Sequence, residues 1–171
     1  VRMDYSLTRP VLHTICPDHH AALIHSVQKL RQLGYRRVGL YVRHTAEKRI
    51  FYKWTGALIS HHQSIANEDC VPPLLTDVLE RESFLAWFDL HRPDVIVGHH
   101  PIVIDWLAGR NLRVPDDVGF FNLNTNQELH PSAGLDLLPK QLGAATVESV
   151  VAQILRNERG LPEYPKTITI E

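Results

Sequence analysis

Cysteine is scarce in this chain: Cys16 and Cys70 stand alone among 171 residues. Their isolation excludes a disulfide framework and a paired-cysteine metal knuckle, so a reducing cytoplasm is the expected setting. Long apolar runs are missing too. None approaches the roughly 18 to 20 residues that a membrane-spanning helix needs, and Val1-Arg-Met-Asp-Tyr-Ser6 lacks the apolar heart of a signal peptide. No membrane partner is expected. Excess charge is absent as well: the net charge is -1 and the basic residues are scattered. That excludes a surface able to grip nucleic acid by electrostatics alone. The chain shows no internal repeat and no low-complexity tract.

What is present is ordinary soluble composition, 44% hydrophobic and 22% charged, with length for one usual domain. The most informative stretch runs from Pro93 to Asn124. Pro93-Asp-Val-Ile-Val-Gly98 and Asp117-Val-Gly-Phe-Phe-Asn-Leu123 are short apolar runs bounded by Pro, Gly and Asp, with a helical segment opened by Pro101 between them. This predicts a βαβ crossover whose strands are covered on both faces. Upstream, Leu23, Ile24, Val27 and Leu30 form a helical stripe that Asp18 can cap and Gly34 can end, followed by a strand over 36–42. A loop at His44–Glu47 leads into a helix over about 47–62, and a third helix is predicted to start at Thr76 or Asp77. Residues 125–137 lack periodicity and are expected to form a long loop. Pro139 then opens a helix with Val147, Val150, Val151 and Ile154 on its expected buried face, and Thr167–Ile170 is a final β-prone run. Helices alternating with strands predict an α/β, doubly wound, three-layer α/β/α domain with a mainly parallel sheet.

Three segments carry a family resemblance: Gly34-Tyr-Arg-Arg-Val38 closing the first helix, Asn111-Leu-Arg-Val-Pro-Asp-Asp-Val118, and Leu138-Pro-Lys-Gln-Leu-Gly143 with Ala145 and Val147. In this order they resemble the C-terminal portion of the effector-binding region of lactose-repressor (LacI) family transcription regulators. The resemblance implies the type I periplasmic binding protein-like fold. It implies that residues 1–35 are a remnant of an N-terminal lobe, 36–130 the C-terminal lobe, 131–165 a return helix and connector, and 166–171 a final strand, assigned to the C-terminal lobe. The family's helix-turn-helix head is absent from these residues, so the chain is expected to be a fragment of a longer protein, and operator DNA would be read only through that absent head. The implied protein is a non-enzymatic sensor, a homodimer in its full-length form, that binds a small sugar-like effector between lobes and needs no cofactor or metal.

The resemblance also implies site residues. The family's Arg three residues before a helix Gly falls on Lys53, before Gly56; its Asn-Asp pair at the end of the middle strand falls on His99-His100; its late Asp falls on Asn124 or Thr125. These departures replace a rigid bidentate fork and an ionised acceptor by a flexible point charge and a neutral amide. His44, with Thr45, follows a strand and joins the candidates. Carboxyl ends of strands are where open α/β sheets bind ligands, and Lys53, His100 and Asn124 are expected to share one hollow. Trp54, Phe84, Trp87 and Phe88 stand at helical spacing and are expected in the core.

Two other classes compete. A metal-dependent hydrolase would use the strand running into Gly98-His-His-Pro101, with further ligands that Asp94 and Asp105 are poorly placed to supply. Adjacent histidines on one element point to different sides, which argues against a chelate built from a doublet. The second alternative is a ligand-free dimerisation module, made plausible by the three altered polar positions.

Overall fold

The computed structural model describes residues 1–125 and 132–171. Its strands are β1 (Arg2–Met3), β2 (Thr14–Pro17), β3 (Val38–Arg43), β4 (Leu74–Thr76), β5 (Val95–Gly98), β6 (Gly119–Asn122), β7 (Ala133–Gly134) and β8 (Thr167–Ile170). The helices are α1 (His19–Gln32), α2 (His44–Arg49), α3 (Lys53–His62), α4 (Arg81–His91), α5 (Ile102–Ala108) and α6 (Pro139–Leu155). The strands form two sheets, one ordered β4-β3-β5-β6-β7 and a smaller one ordered β1-β2-β8. Every pairing is parallel, so each connection must cross over, and helices supply the crossovers that link β3, β4, β5 and β6.

Side-chain alternation along the strands builds the layers. Val38, Leu40 and Val42 of β3 and Val95 and Val97 of β5 pack in one cluster with Leu23, Val27 and Leu30 of α1 and Trp54 and Leu58 of α3. Tyr41 and Ile96 turn the other way, onto Phe84, Leu85 and Trp87 of α4 and Val103 and Leu107 of α5. The large sheet is thus covered on both faces, the predicted three-layer α/β/α arrangement. The β5-α5-β6 crossover matches the predicted one, with Ile96 opposite Phe120. Asp18 caps α1 by accepting from the Ala21 amide at 3.0 Å. Gly34 takes the left-handed conformation, φ +103°, just past its end.

Counted in chain order, the large sheet runs 2-1-3-4-5, so the direction of winding reverses between β3 and β5. Crevices at such a reversal, outside the carboxyl ends of the strands, are where these sheets hold ligands. Asp94 fixes the opposite end: its carboxylate accepts from the Arg36 and Arg37 amides at 2.7 and 3.0 Å, tying the start of β3 to that of β5.

Several local expectations are corrected. The predicted helix over 47–62 is two helices, because Phe51 and Tyr52 adopt left-handed conformations, φ 58° and 57°. The third helix begins at Arg81, and Leu74–Thr76 pairs with β3 as an edge strand. Helix α1, expected with the first lobe, packs on α3 and the large sheet. The final strand, expected in the larger lobe, pairs with β2 of the small sheet, Ile15 opposite Ile168. Helix α6 meets the small sheet, yet its valine face is open to solvent, with Val147 62% and Ile154 58% exposed. The side turned to Ile15 and Ile168 carries Ala145, Ser149 and Ala152. A helix with apolar residues on two faces does not say by periodicity which face is covered.

Candidate functional site

Where β3 and β5 end, the chain opens a cleft of about 680 Å³, within the range of small-molecule sites. Its walls come from both sheets. Asp4 follows β1 of the small sheet, whereas Arg43 closes β3, His99 and His100 follow β5, and Asn124 follows β6. Helix α2 forms a rim with Thr45, Ala46 and Arg49, and Trp54 of α3 and Leu137 add apolar wall. Four of the sequence candidates, Thr45, His99, His100 and Asn124, therefore meet in one hollow.

Lys53 and His44 do not join them. The Lys53 ammonium lies 5.0 Å from the centre of the Tyr5 ring. Burial draws its pKa down, but the Tyr5 hydroxyl and the nearby Cys16 and Asp18 outweigh that and raise it. Exposed His44 has Nε2 2.8 Å from the Tyr52 hydroxyl and Nδ1 3.4 Å from Asp77 Oδ1. The adjacent residue decides both cases: Trp54 rather than Lys53, and Arg43 with Thr45 rather than His44, line the cleft.

The floor is aromatic and its geometry is fixed. Trp54, 2% exposed, stands edge-on to His19 at 4.7 Å and to His99 at 6.3 Å. It is a core residue with one edge at the cleft. His19 Nε2 lies 3.1 Å from Asp4 Oδ1, and its other ring nitrogen is buried with no hydrogen-bond partner among the described residues. Burial pushes the Asp4 carboxyl up, but the His19 contact, with help from Arg49, leaves it below its usual value. His99 is held down to about pKa 4, chiefly by burial and then by the neighbouring His100, His19 and Arg49. His100 is lowered by burial and by Arg43. Near neutral pH both imidazoles are therefore uncharged, each offering one donor and one acceptor.

Local devices hold the walls. Gly98 lets β5 end against β3: a Cβ there would sit 2.5 Å from the Tyr41 carbonyl oxygen. Asn122, buried at the end of β6, accepts from the Asn124 amide at 2.9 Å and so fixes the turn that leads into the cleft. Fully buried Glu47 reaches from α2 to α3, accepting from the Thr55 amide at 2.8 Å and from its hydroxyl, and caps the helix that carries Trp54.

Sequence reasoning missed Arg43, Arg49, Asp4 and His19. Arg43 carried a readable signal, as the residue just past a strand predicted over 36–42. Asp4 and His19 carried none, because their meeting depends on pairing β1 with β2. A larger cleft of about 1050 Å³ lies beyond α5, lined mainly by apolar groups such as Leu79, Ile104, Trp106 and Phe120. It shares His100 with the first, but the polar side chains converge in the smaller cleft. Among the described residues no three His, Cys, Asp or Glu side chains converge to hold a metal ion. Asp94, weighed as a ligand, is committed to the far end of the sheet, and Asp105 lines the larger cleft. No described helix is long and apolar enough to cross a membrane.

No family model and no curated protein matches the sequence. Solved structures do match in fold. A LacI family transcriptional regulator from Enterococcus faecium, solved with bound ribose, superposes with a TM-score of 0.68 at 11% identity, over 99% of this chain and 66% of that one. A LacI family regulator from Silicibacter pomeroyi gives 0.65 at 16%, over 99% and 54%. A LacI-family regulatory protein from Corynebacterium glutamicum gives 0.60 at 19%, over 92% and 65%. The chain thus spans between half and two thirds of the length of these proteins, and it has the α/β fold of their LacI-family chains.

Proposed function

We propose that this chain is the effector-sensing region of a LacI-type bacterial transcriptional regulator and that it binds a small sugar-like molecule in the cleft between the ends of β3 and β5. The observation that carries this reading is the convergence of Arg43, His99, His100 and Asn124 at the winding reversal, opposite Asp4 from the other sheet. The ribose held by the Enterococcus faecium protein supports a ligand of that size and chemistry. In this reading residues of the two sheets form two lobes that close on the effector. The change in lobe angle then alters how a cytoplasmic homodimer presents DNA-binding heads carried elsewhere in the parent protein. Such a switch needs different effector affinities in the two states, not merely tight binding.

Titration calorimetry with a panel of sugars and nucleosides tests the binding step. A ligand should bind the chain, and His100→Ala should weaken it at least ten-fold. Binding that ignores His100→Ala removes the cleft as the site. In the parent protein, a ligand that binds yet leaves operator affinity unchanged removes the switching role.

A further inference from the structure

The cleft carries two guanidinium groups that no described residue pairs by a salt bridge. Arg43 and Arg49 both line it, and among the described residues neither guanidinium makes a salt bridge or a side-chain hydrogen bond. Among the described residues some other exposed arginines are paired, Arg110 with Asp89 and Arg113 with Asp116 and Asp117, and others, such as Arg9 and Arg81, are not; Arg43 and Arg49 differ in lining one cleft together. The carboxylate in the lining, Asp4, is engaged by His19 at 3.1 Å. Arg43 precedes α2 and Arg49 ends it, so at 1.5 Å per residue their Cα atoms stand about 9 Å apart along the rim. Side chains of that length can converge on one group between them. A guanidinium presents a planar fork of donors matched to an oxyanion.

We infer that the effector of this cleft carries an oxyanion, a phosphate or a carboxylate on a small polyhydroxyl body, which Arg43 and Arg49 clamp while His99, His100 and Asn124 meet its hydroxyls. This rests on the effector-binding reading above and narrows it to an acidic ligand. The same field reaches the histidines: beyond the larger effect of burial, Arg49 disfavours the charged form of His99 and Arg43 that of His100. A bound anion reverses that push and raises both histidines.

The test is an NMR titration of the 171-residue chain, read on histidine ring signals, with matched probes: glucose 6-phosphate and glucuronate against glucose, and ribose 5-phosphate against ribose. The acidic member of at least one pair should bind ten-fold or more tightly than its neutral partner and raise the His99 pKa. The phosphate and carboxylate probes tell the two oxyanions apart. Arg43→Met and Arg49→Met, at exposed positions and keeping an apolar stem, should each shrink the preference. Neutral sugars that bind as well as the acidic ones, or a preference that survives the double variant, overturn the oxyanion inference and leave effector binding standing. If no probe moves the histidine signals, the effector-binding reading itself fails for these chemistries and the inference falls with it.

Discussion

His99 ties the site to the stability of the fold. Its pKa falls from 6.5 to about 4, so between those values an unfolded chain binds a proton that the folded chain refuses. Stability is therefore full above pH 6.5 and declines as the pH falls toward 4, by at most about 3 kcal/mol. Asp4 acts lower down. Its depressed carboxyl contributes above its ordinary value of 3.8 and is lost only below that. Urea unfolding midpoints measured from pH 7 to 4.5 should drop in the native chain and drop less in His99→Gln. Equal slopes would show that His99 is not the group responsible. Gly98 is equally specific. With the Tyr41 carbonyl oxygen 2.5 Å from where a Cβ would stand, Gly98→Ala must push β5 off β3, a cost of about 1–3 kcal/mol. A melting temperature unchanged by that substitution would contradict the close approach.

At the scale of elements, the large sheet was readable because its strands are apolar runs punctuated by Pro, Gly and Asp, and burial on both faces leaves little else for such runs to do. Short, edge or exposed pieces were not readable. β1 and β7 have two residues each, too few for any period, and β4 was hidden behind Pro72-Pro73. The break at Phe51–Tyr52 has no Gly or Pro to announce it. The left-handed backbone there goes with the Glu47 carboxylate reaching eight residues on to cap α3. Helix α6 gives a direct test of the corrected packing. Val151→Ser and Ile154→Ser should change stability by no more than about 0.5 kcal/mol each, as surface substitutions do. Leu142→Ala, at 6% exposure, should cost about 2–5 kcal/mol. Comparable losses at all three positions in denaturant unfolding would mean that the valine face is packed after all.

Across the whole molecule, the candidate site follows from topology more than from any motif. His99, His100 and Asn124 were legible as strand-end residues, because strand ends in parallel sheets share one edge. Arg49 and His19 were not, since only the crossover through α2 and the joining of the small sheet to the large one bring them to that edge. Lys53 was misplaced by a single residue, enough on a helix to turn a side chain by about 100° and hand its place to Trp54. Binding of small molecules at the winding reversal between β3 and β5 can be read on the three tryptophans separately. Trp54 lines that cleft, Trp106 the apolar one and Trp87 neither. Titration with the sugar and nucleoside panel, followed on the indole N–H signals, should shift Trp54 together with the His99 and His100 rings while Trp87 and Trp106 hold still. Movement of Trp106 with Trp54 and His99 silent would place the ligand beyond α5 and rule out the cleft at the winding reversal as the binding site.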